Sequence, residues 1–319
     1  MMRETVIGYD LYTPQQNMRL EVIKGLMREQ KVLPAKYFYD HIGSQLFEQI
    51  TQQPEYYPTR TELAILEQHR AEIAQSIGDV HTLIEYGSGS SRKIQMLLET
   101  FTHLDTYMPI DISKDFLMES ARQLSERYPA LHIKAVCGDY SQAISLPVEE
   151  SQKRVIFFPG STIGNFEPEE AMHFLRHSSR ILESGDGFLI GVDLKKSTDV
   201  LERAYNDVAG VTAAFNLNML THLNQMLDGT FDVTRFEHHA FYNEEKGRIE
   251  MHLRSQLDQL VQVGDVTVPF KQGETVHTEN SYKYSKEEFE TLARQSGFHP
   301  VNCWIDDDKR FSVHYLEKM

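Results

Sequence analysis

The chain has 319 residues, with 32 lysines and arginines against 47 aspartates and glutamates, a net charge of -15. A surface this acidic repels phosphate backbones and anionic membrane surfaces, so neither nucleic acid nor membrane is expected as a partner. There are two cysteines, Cys137 and Cys303, no Cys-x-x-Cys or His/Cys zinc motif, no apolar signal core after Met1 and no apolar run near the roughly 18 residues of a membrane span. A cytoplasmic globular monomer is expected, without metal.

Residues 14–30 read as a helix with Met18, Leu20, Val22, Ile23, Leu26 and Met27 at its apolar positions. A second helix is expected over 44–52. A proline-bounded loop, Pro54 to Glu62, leads into a helix over 61–76 that Thr61 can cap. Strands near 81–86, 104–110, 131–137, 154–158 and 187–194 then alternate with helices near 92–101, 114–128 and 168–182. This alternation means a parallel sheet with helices on both faces. Residues 198–227 read as mostly helical, and β-like runs follow at 231–242, 248–257 and 274–279. A helix over 285–296 stops at Gly297. The strands at 300–305 and 311–316 are joined so briefly, through Asp306 to Lys309, that they form an antiparallel hairpin.

The expected fold class is therefore α/β. It has a Rossmann-like, mostly parallel sheet ending in an antiparallel hairpin, as in class I methyltransferases, plus a smaller discontinuous α+β substrate domain. The expected boundaries are 61–197 and 283–319 for the first domain, and 1–60 and 198–282 for the second. Ligands of open α/β sheets bind at the carboxyl ends of the strands. That puts Gly87, Asp111, Asp139 and the loop from Pro159 to Phe166 around one cleft, roofed by the insert.

Glu85-Tyr86-Gly87-Ser88-Gly89-Ser90 lies between an apolar strand and a helical pattern. Glycines there let a ligand approach the backbone. A dinucleotide fingerprint needs a third glycine, where this chain has Arg92, and the Gly-Lys-Ser/Thr of a phosphate loop is absent. Asp111 follows the glycines at about 20 residues, the distance at which a carboxylate reaches ribose hydroxyls. Asp139, in Gly138-Asp139-Tyr140, ends the next strand and can accept an adenine amino group. An adenosine ligand without pyrophosphate is implied, and S-adenosylmethionine fits. Asn165, in a loop rich in small polar residues, offers donor and acceptor to an amino acid's amine and carboxylate; turn chemistry explains it equally well.

Several segments resemble the histidine Nα-methyltransferases of ergothioneine biosynthesis. They are Lys36 to Phe47, Pro54 to Glu62, Phe158 to Phe166, Gly191 to Lys196, Arg248 to Leu253 and His277 to Ser281. The resemblance implies transfer of three methyl groups from S-adenosylmethionine to the α-amine of L-histidine, giving hercynine. A related tryptophan-type amine is the alternative substrate. Carried over by position, Tyr56, Asn165, Tyr205 and Gly160 hold the amine and carboxylate end. Glu279 and Ser281 hold the imidazole, and Met251 lines its pocket. Gly87, Ser88, Gly89, Lys93, Asp111, Asp139 and Tyr140 bind the cofactor. Tyr39 and Tyr56 are the catalytic candidates for steering or deprotonating the amine. Phe47 lies near it, with packing as its main expected role. An indole has one N–H donor and would leave a buried Glu279–Ser281 pair poorly satisfied, so Glu279 favours histidine.

Overall fold

The structure is a computed structural model that describes residues 6–11, 14–88, 92–142, 144, 146–147 and 152–319. In chain order its elements are β1 (Val6–Asp10), α1 (Pro14–Leu26), β2 (Lys31–Val32), α2 (His41–Thr51), α3 (Tyr57–Gln68) and α4 (Arg70–Ile77). β3 (Thr82–Tyr86), α5 (Arg92–Thr100), β4 (Thr106–Asp111), α6 (Lys114–Arg127), β5 (His132–Cys137), β6 (Arg154–Phe158), α7 (Pro168–Ile181) and β7 (Gly187–Asp193) follow. The remainder is α8 (Thr198–Tyr205), α9 (Val211–Leu227), β8 (Phe236–Asn243), β9 (Arg248–Ser255), β10 (Gln259–Val263), β11 (Val266–Phe270), β12 (Thr275–Tyr282), α10 (Lys286–Gln295), β13 (Phe298–Ile305) and β14 (Phe311–Lys318). Among the described residues no helix is long and apolar enough to cross a membrane.

The chain divides into two compact units. The first comprises Met1–Tyr12, Pro58–Lys195 and Lys283–Met319. Its sheet has the order β1-β5-β4-β3-β6-β7-β14-β13. The first six strands are parallel, and β14 and β13 run antiparallel at the end. Leaving β1 aside, this is the strand order of the class I methyltransferase sheet. The central strands are buried on both faces, which is why they read as continuous apolar runs. Leu83, Tyr107, Ile133, Val155, Phe157 and Leu189 fill one face. Ile84, Met108, Val136, Ile156, Phe158 and Ile190 fill the other.

Two local expectations differ. Residues 6–10, read as part of the second domain, instead add an edge strand to this sheet, paired with β5 from Val6↔Ile133 to Asp10↔Cys137. The helix expected over 61–76 is two helices, because His69 leaves helical backbone at φ -102° and ψ 17°.

The second unit comprises Thr13–Tyr57 and Lys196–Tyr282. Its sheet has the order β2-β12-β9-β8, with β2 parallel to β12 and the other pairs antiparallel. β10 and β11 form a separate hairpin. Phe38, Phe215, Met219, Leu220, Ile249, Met251, Leu253 and Val276 are among the residues of its core.

The first unit also buries charge. Lys283 and Asp193 are almost fully enclosed and meet at 2.7 Å. Removing one partner of such a pair strands the other charge in a medium that solvates it poorly. Lys283→Met should therefore cost about 3–5 kcal/mol, read as a lowered urea midpoint. A change within about 0.5 kcal/mol, the range of ordinary surface substitutions, would show that the pair does not hold the fold.

Candidate active site

The strand ends of the first unit collect the residues expected to meet the cofactor. Gly87 follows β3 in the left-handed conformation, φ 72°, and its N–H donates to the Ile110 carbonyl at 2.9 Å. A Cβ there would only touch the Tyr140 hydroxyl, at 3.6 Å, so the left-handed backbone and not crowding calls for glycine. Ser88 is buried, its Oγ 3.3 Å from the Tyr107 hydroxyl. Gly89, the third residue of the expected turn, lies outside the described residues. Asp111 ends β4, half-buried, and its Oδ1 accepts from the Ser113 N–H at 2.8 Å. Desolvation raises its pKa to about 7, against the pull of the Ser113 and Ile112 N–H groups. Asp139 accepts from the Ser141 N–H at 3.0 Å, and the Tyr140 ring stacks on Tyr86 at 5.5 Å. A carboxylate at Asp111 and a left-handed Gly87 at the neighbouring strand end suit the ribose and chain of an adenosyl ligand.

Lys93, also expected at the cofactor, is paired with a carboxylate. It is buried and donates to Glu62, which is itself wholly enclosed. The Gly160 N–H also reaches Glu62, at 2.9 Å to Oε2 and 3.1 Å to Oε1. Gly191 makes room for that carboxylate, since a Cβ there would come within 2.0 Å of Glu62 Oε1. Glu62 thus fixes the start of the Gly160 loop. Ser161 follows in left-handed backbone, φ 57°, a strained state for a non-glycine residue. Its Oγ accepts the Asp193 N–H at 2.8 Å. The short turn Thr162–Asn165 then leaves Asn165 half-buried.

Glu85 was not among the expected site residues, although it opens the glycine motif. It is fully buried, Tyr107 donates to it, and its Oε1 has no hydrogen-bond partner among the described residues. Desolvation pushes its pKa to about 8. A lone acid inside an apolar strand next to a glycine turn was the available signal.

The other expected residues lie in the second unit. Tyr39, Phe47, Tyr56 and Tyr205 form an edge-to-face series with centroids 5.8, 6.4 and 6.3 Å apart. Such ring faces suit a cation. Phe47 also packs on Phe215 at 6.0 Å, in keeping with a packing role. The Tyr205 hydroxyl donates to Ser281 Oγ at 2.7 Å.

Met251, Glu279 and Ser281 share one face of the sheet. Across the ladder, Val276 pairs with Leu253, Glu279 with Met251 and Ser281 with Ile249. Cross-strand partners point the same way, and Leu253, Met251 and Ile249 are all core residues. Alternation from Val276 would have put Thr278 and Asn280 on this face. A bulge between His277 and Glu279 adds one residue and moves Glu279 and Ser281 there instead.

The opposite face carries Arg248, Glu250, His252 and His277. Glu250, His252 and His277 each offer a ligand atom within 4.8 Å of the others. However, Arg248 Nε already holds Glu250 Oε1 at 2.8 Å. The two imidazoles stack at 4.6 Å and 11°, so their in-plane lone pairs run side by side instead of converging on an ion. Desolvation opposes ionisation of Glu250, but the hydrogen bonds from His252 and Arg248 outweigh it and hold its pKa near 2. The cluster is an ion-pair network.

The sequence model of a family described as "Histidine-specific methyltransferase, SAM-dependent" matches residues 18–318. The chain belongs to that family. It is 40% identical over 306 residues to the histidine N-alpha-methyltransferase of Mycobacterium tuberculosis (strain CDC 1551 / Oshkosh), covering 94% of this chain and 95% of the relative. It is 42% identical over 301 residues to that of Mycolicibacterium smegmatis, covering 93% of each. The solved structure of the PH0226 protein from Pyrococcus horikoshii OT3 aligns with a TM-score of 0.50 at 13% identity, over 86% of this chain and 98% of that one, a likeness of fold. S-adenosylmethionine is the co-substrate of this family and of this chain.

Asp111 gives a pH test. A ribose hydroxyl donates, and the ionised carboxylate is the stronger acceptor for it. With its pKa near 7, each pH unit further below that value should cost up to about tenfold in affinity for S-adenosylmethionine, and binding should level off above it. Titration calorimetry between pH 5 and 7.5 should show this slope in the native chain and a flat, weaker profile in Asp111→Asn. Equal slopes in both would remove Asp111 from the ribose site.

Proposed function

We propose that the protein transfers three methyl groups in succession to the α-amine of L-histidine, giving hercynine for ergothioneine biosynthesis, with Glu279 and Ser281 selecting the imidazole. The observation that carries this reading is a carboxylate and a hydroxyl turned onto the core face of the sheet beside Met251 and Ile249. An ionised carboxylate only accepts, so it favours a ligand that brings an N–H. Imidazole can donate one or, when protonated, two. Ser281 accepts from the Tyr205 hydroxyl at 2.7 Å, and a serine hydroxyl can serve either ring nitrogen. An indole can donate to only one of these groups, which is why a tryptophan-type amine is the weaker reading.

S-adenosylmethionine supplies the electrophilic methyl group. The protein must present a neutral amine in line with it, and positioning supplies most of the acceleration. Histidine enters with its amine protonated, so three protons leave over three transfers and the product nitrogen keeps none. Tyr39 and Tyr56 are the hydroxyl groups we assign to steering the lone pair and passing those protons. The faces of Tyr39, Phe47, Tyr56 and Tyr205 hold the ammonium as it gains methyl groups. We take one chain as the working unit, since both residue clusters come from it. The cytoplasm suits it: both cysteines are free, and burial raises their thiols to about 11 for Cys137 and about 12 for Cys303, leaving them unreactive.

Mass spectrometry of histidine incubated with the protein and S-adenosylmethionine should show the addition of three methyl groups, with tryptophan unchanged in a parallel tube. Glu279→Ala should lower kcat/KM for histidine by on the order of 10²-fold or more while S-adenosylmethionine affinity holds. Loss of both in equal measure would contradict the imidazole assignment.

A further inference from the structure

We propose that Asn216, acting through the hydroxyl of Thr278, is the positioning residue that sets the imidazole pocket. The inference rests on the assignment of Glu279 and Ser281 to the imidazole. It starts from the bulge. A β-strand has a side-chain period of two, so a one-residue slip exchanges its faces. If β12 closed into a regular ladder from Val276, Thr278 and Asn280 would face the pocket and Glu279 the other side. Something must hold the extra residue in place.

That residue is Thr278, buried, with its hydroxyl 2.8 Å from Asn216 Oδ1 and 3.0 Å from the Met251 carbonyl. Asn216 lies on α9 and is completely enclosed. Its Nδ2 donates to the His252 carbonyl at 3.0 Å and sits 2.9 Å from His238 Nδ1. His238 Nε2 in turn lies 2.9 Å from the Tyr205 carbonyl. These partners fix the histidine as neutral, accepting at Nδ1 and donating at Nε2. Desolvation lowers its pKa and keeps it neutral. On the far side of the bulge, His277 Nε2 lies 3.0 Å from the Glu279 carbonyl.

Both hydrogens of the Asn216 amide and its carbonyl are therefore used, each on a different element. Thr278 belongs to β12 with Glu279 and Ser281, the His252 carbonyl to β9 beside Met251, and His238 reaches the end of α8 at Tyr205. One side chain ties together the three elements that carry the imidazole candidates. Buried networks of this kind hold a single arrangement when every member is satisfied. Asn216 would touch no substrate; it acts through the register of β12.

The test compares Thr278→Val, which keeps the branched shape but loses the hydroxyl, with Thr278→Ser, which keeps the hydroxyl. Histidine and tryptophan are the substrates, and S-adenosylmethionine affinity is measured alongside. Thr278→Val should raise KM for histidine at least tenfold and lower the histidine-to-tryptophan ratio of kcat/KM by a similar factor. Cofactor affinity should stay within about twofold, and Thr278→Ser should restore the native values. Asn216→Asp, which keeps the acceptor for Thr278 but loses the donors, should move KM the same way and serves if the valine variant does not fold. Native KM and ratio in both Thr278→Val and Asn216→Asp would overturn the clamp. Glu279→Gln, run in parallel, separates the two claims. If it loses selectivity while the clamp variants do not, only the clamp is wrong; if it keeps native selectivity, the imidazole assignment falls and the clamp with it.

Discussion

One extra residue in β12 decides which side chains the second unit turns to its core. Without it the core-facing side of the sheet would continue as Val276, Thr278 and Asn280; with it Glu279 and Ser281 stand beside Met251 and Ile249. An ionised carboxylate there offers acceptors only. On the proposed reading selectivity rests on that match: a substrate carrying an N–H can bond to it, and one lacking the N–H cannot.

The first unit works on a different principle. The groups expected to meet the cofactor hang from the carboxyl ends of adjacent parallel strands, so their spacing is set by the sheet itself. Gly87 bonds back to β4 through the Ile110 carbonyl, and Gly138 bonds to the Asp111 carbonyl at 3.0 Å. Glu62 adds a buried brace, gripping the Gly160 amide and the Lys93 ammonium in space that Gly191 leaves open. Rigid placement of this kind suits a reaction in which the protein contributes orientation more than acid–base chemistry.

Much of this was legible in the sequence because the signals were local. Strands enclosed on both faces read as apolar runs such as Val155-Ile156-Phe157-Phe158, and the closing hairpin announced itself through Asp306 to Lys309. β1 and β2 escaped notice: Val6–Asp10 is a mostly exposed edge without alternation, and Lys31–Val32 is two residues long. β10 and β11 need not have been missed, since alternating apolar residues flank Gly264-Asp265. The break at His69 has no proline or glycine to mark it. The bulge, the Glu62–Lys93 pair and the Asn216 network depend on partners dozens to hundreds of residues away, which no local period encodes. Glu279 and Ser281 could be named by resemblance, but the reason they face the core could not.

The most direct test is a crystal structure of the protein with L-histidine and S-adenosylhomocysteine. The account predicts the imidazole against Met251, with one nitrogen at about 2.7–3.2 Å from a Glu279 carboxylate oxygen and the other within the same reach of Ser281 Oγ, and with the bulge at Thr278 intact. An imidazole bound away from Glu279, or a regular β12 with Glu279 turned to the opposite face, would contradict it.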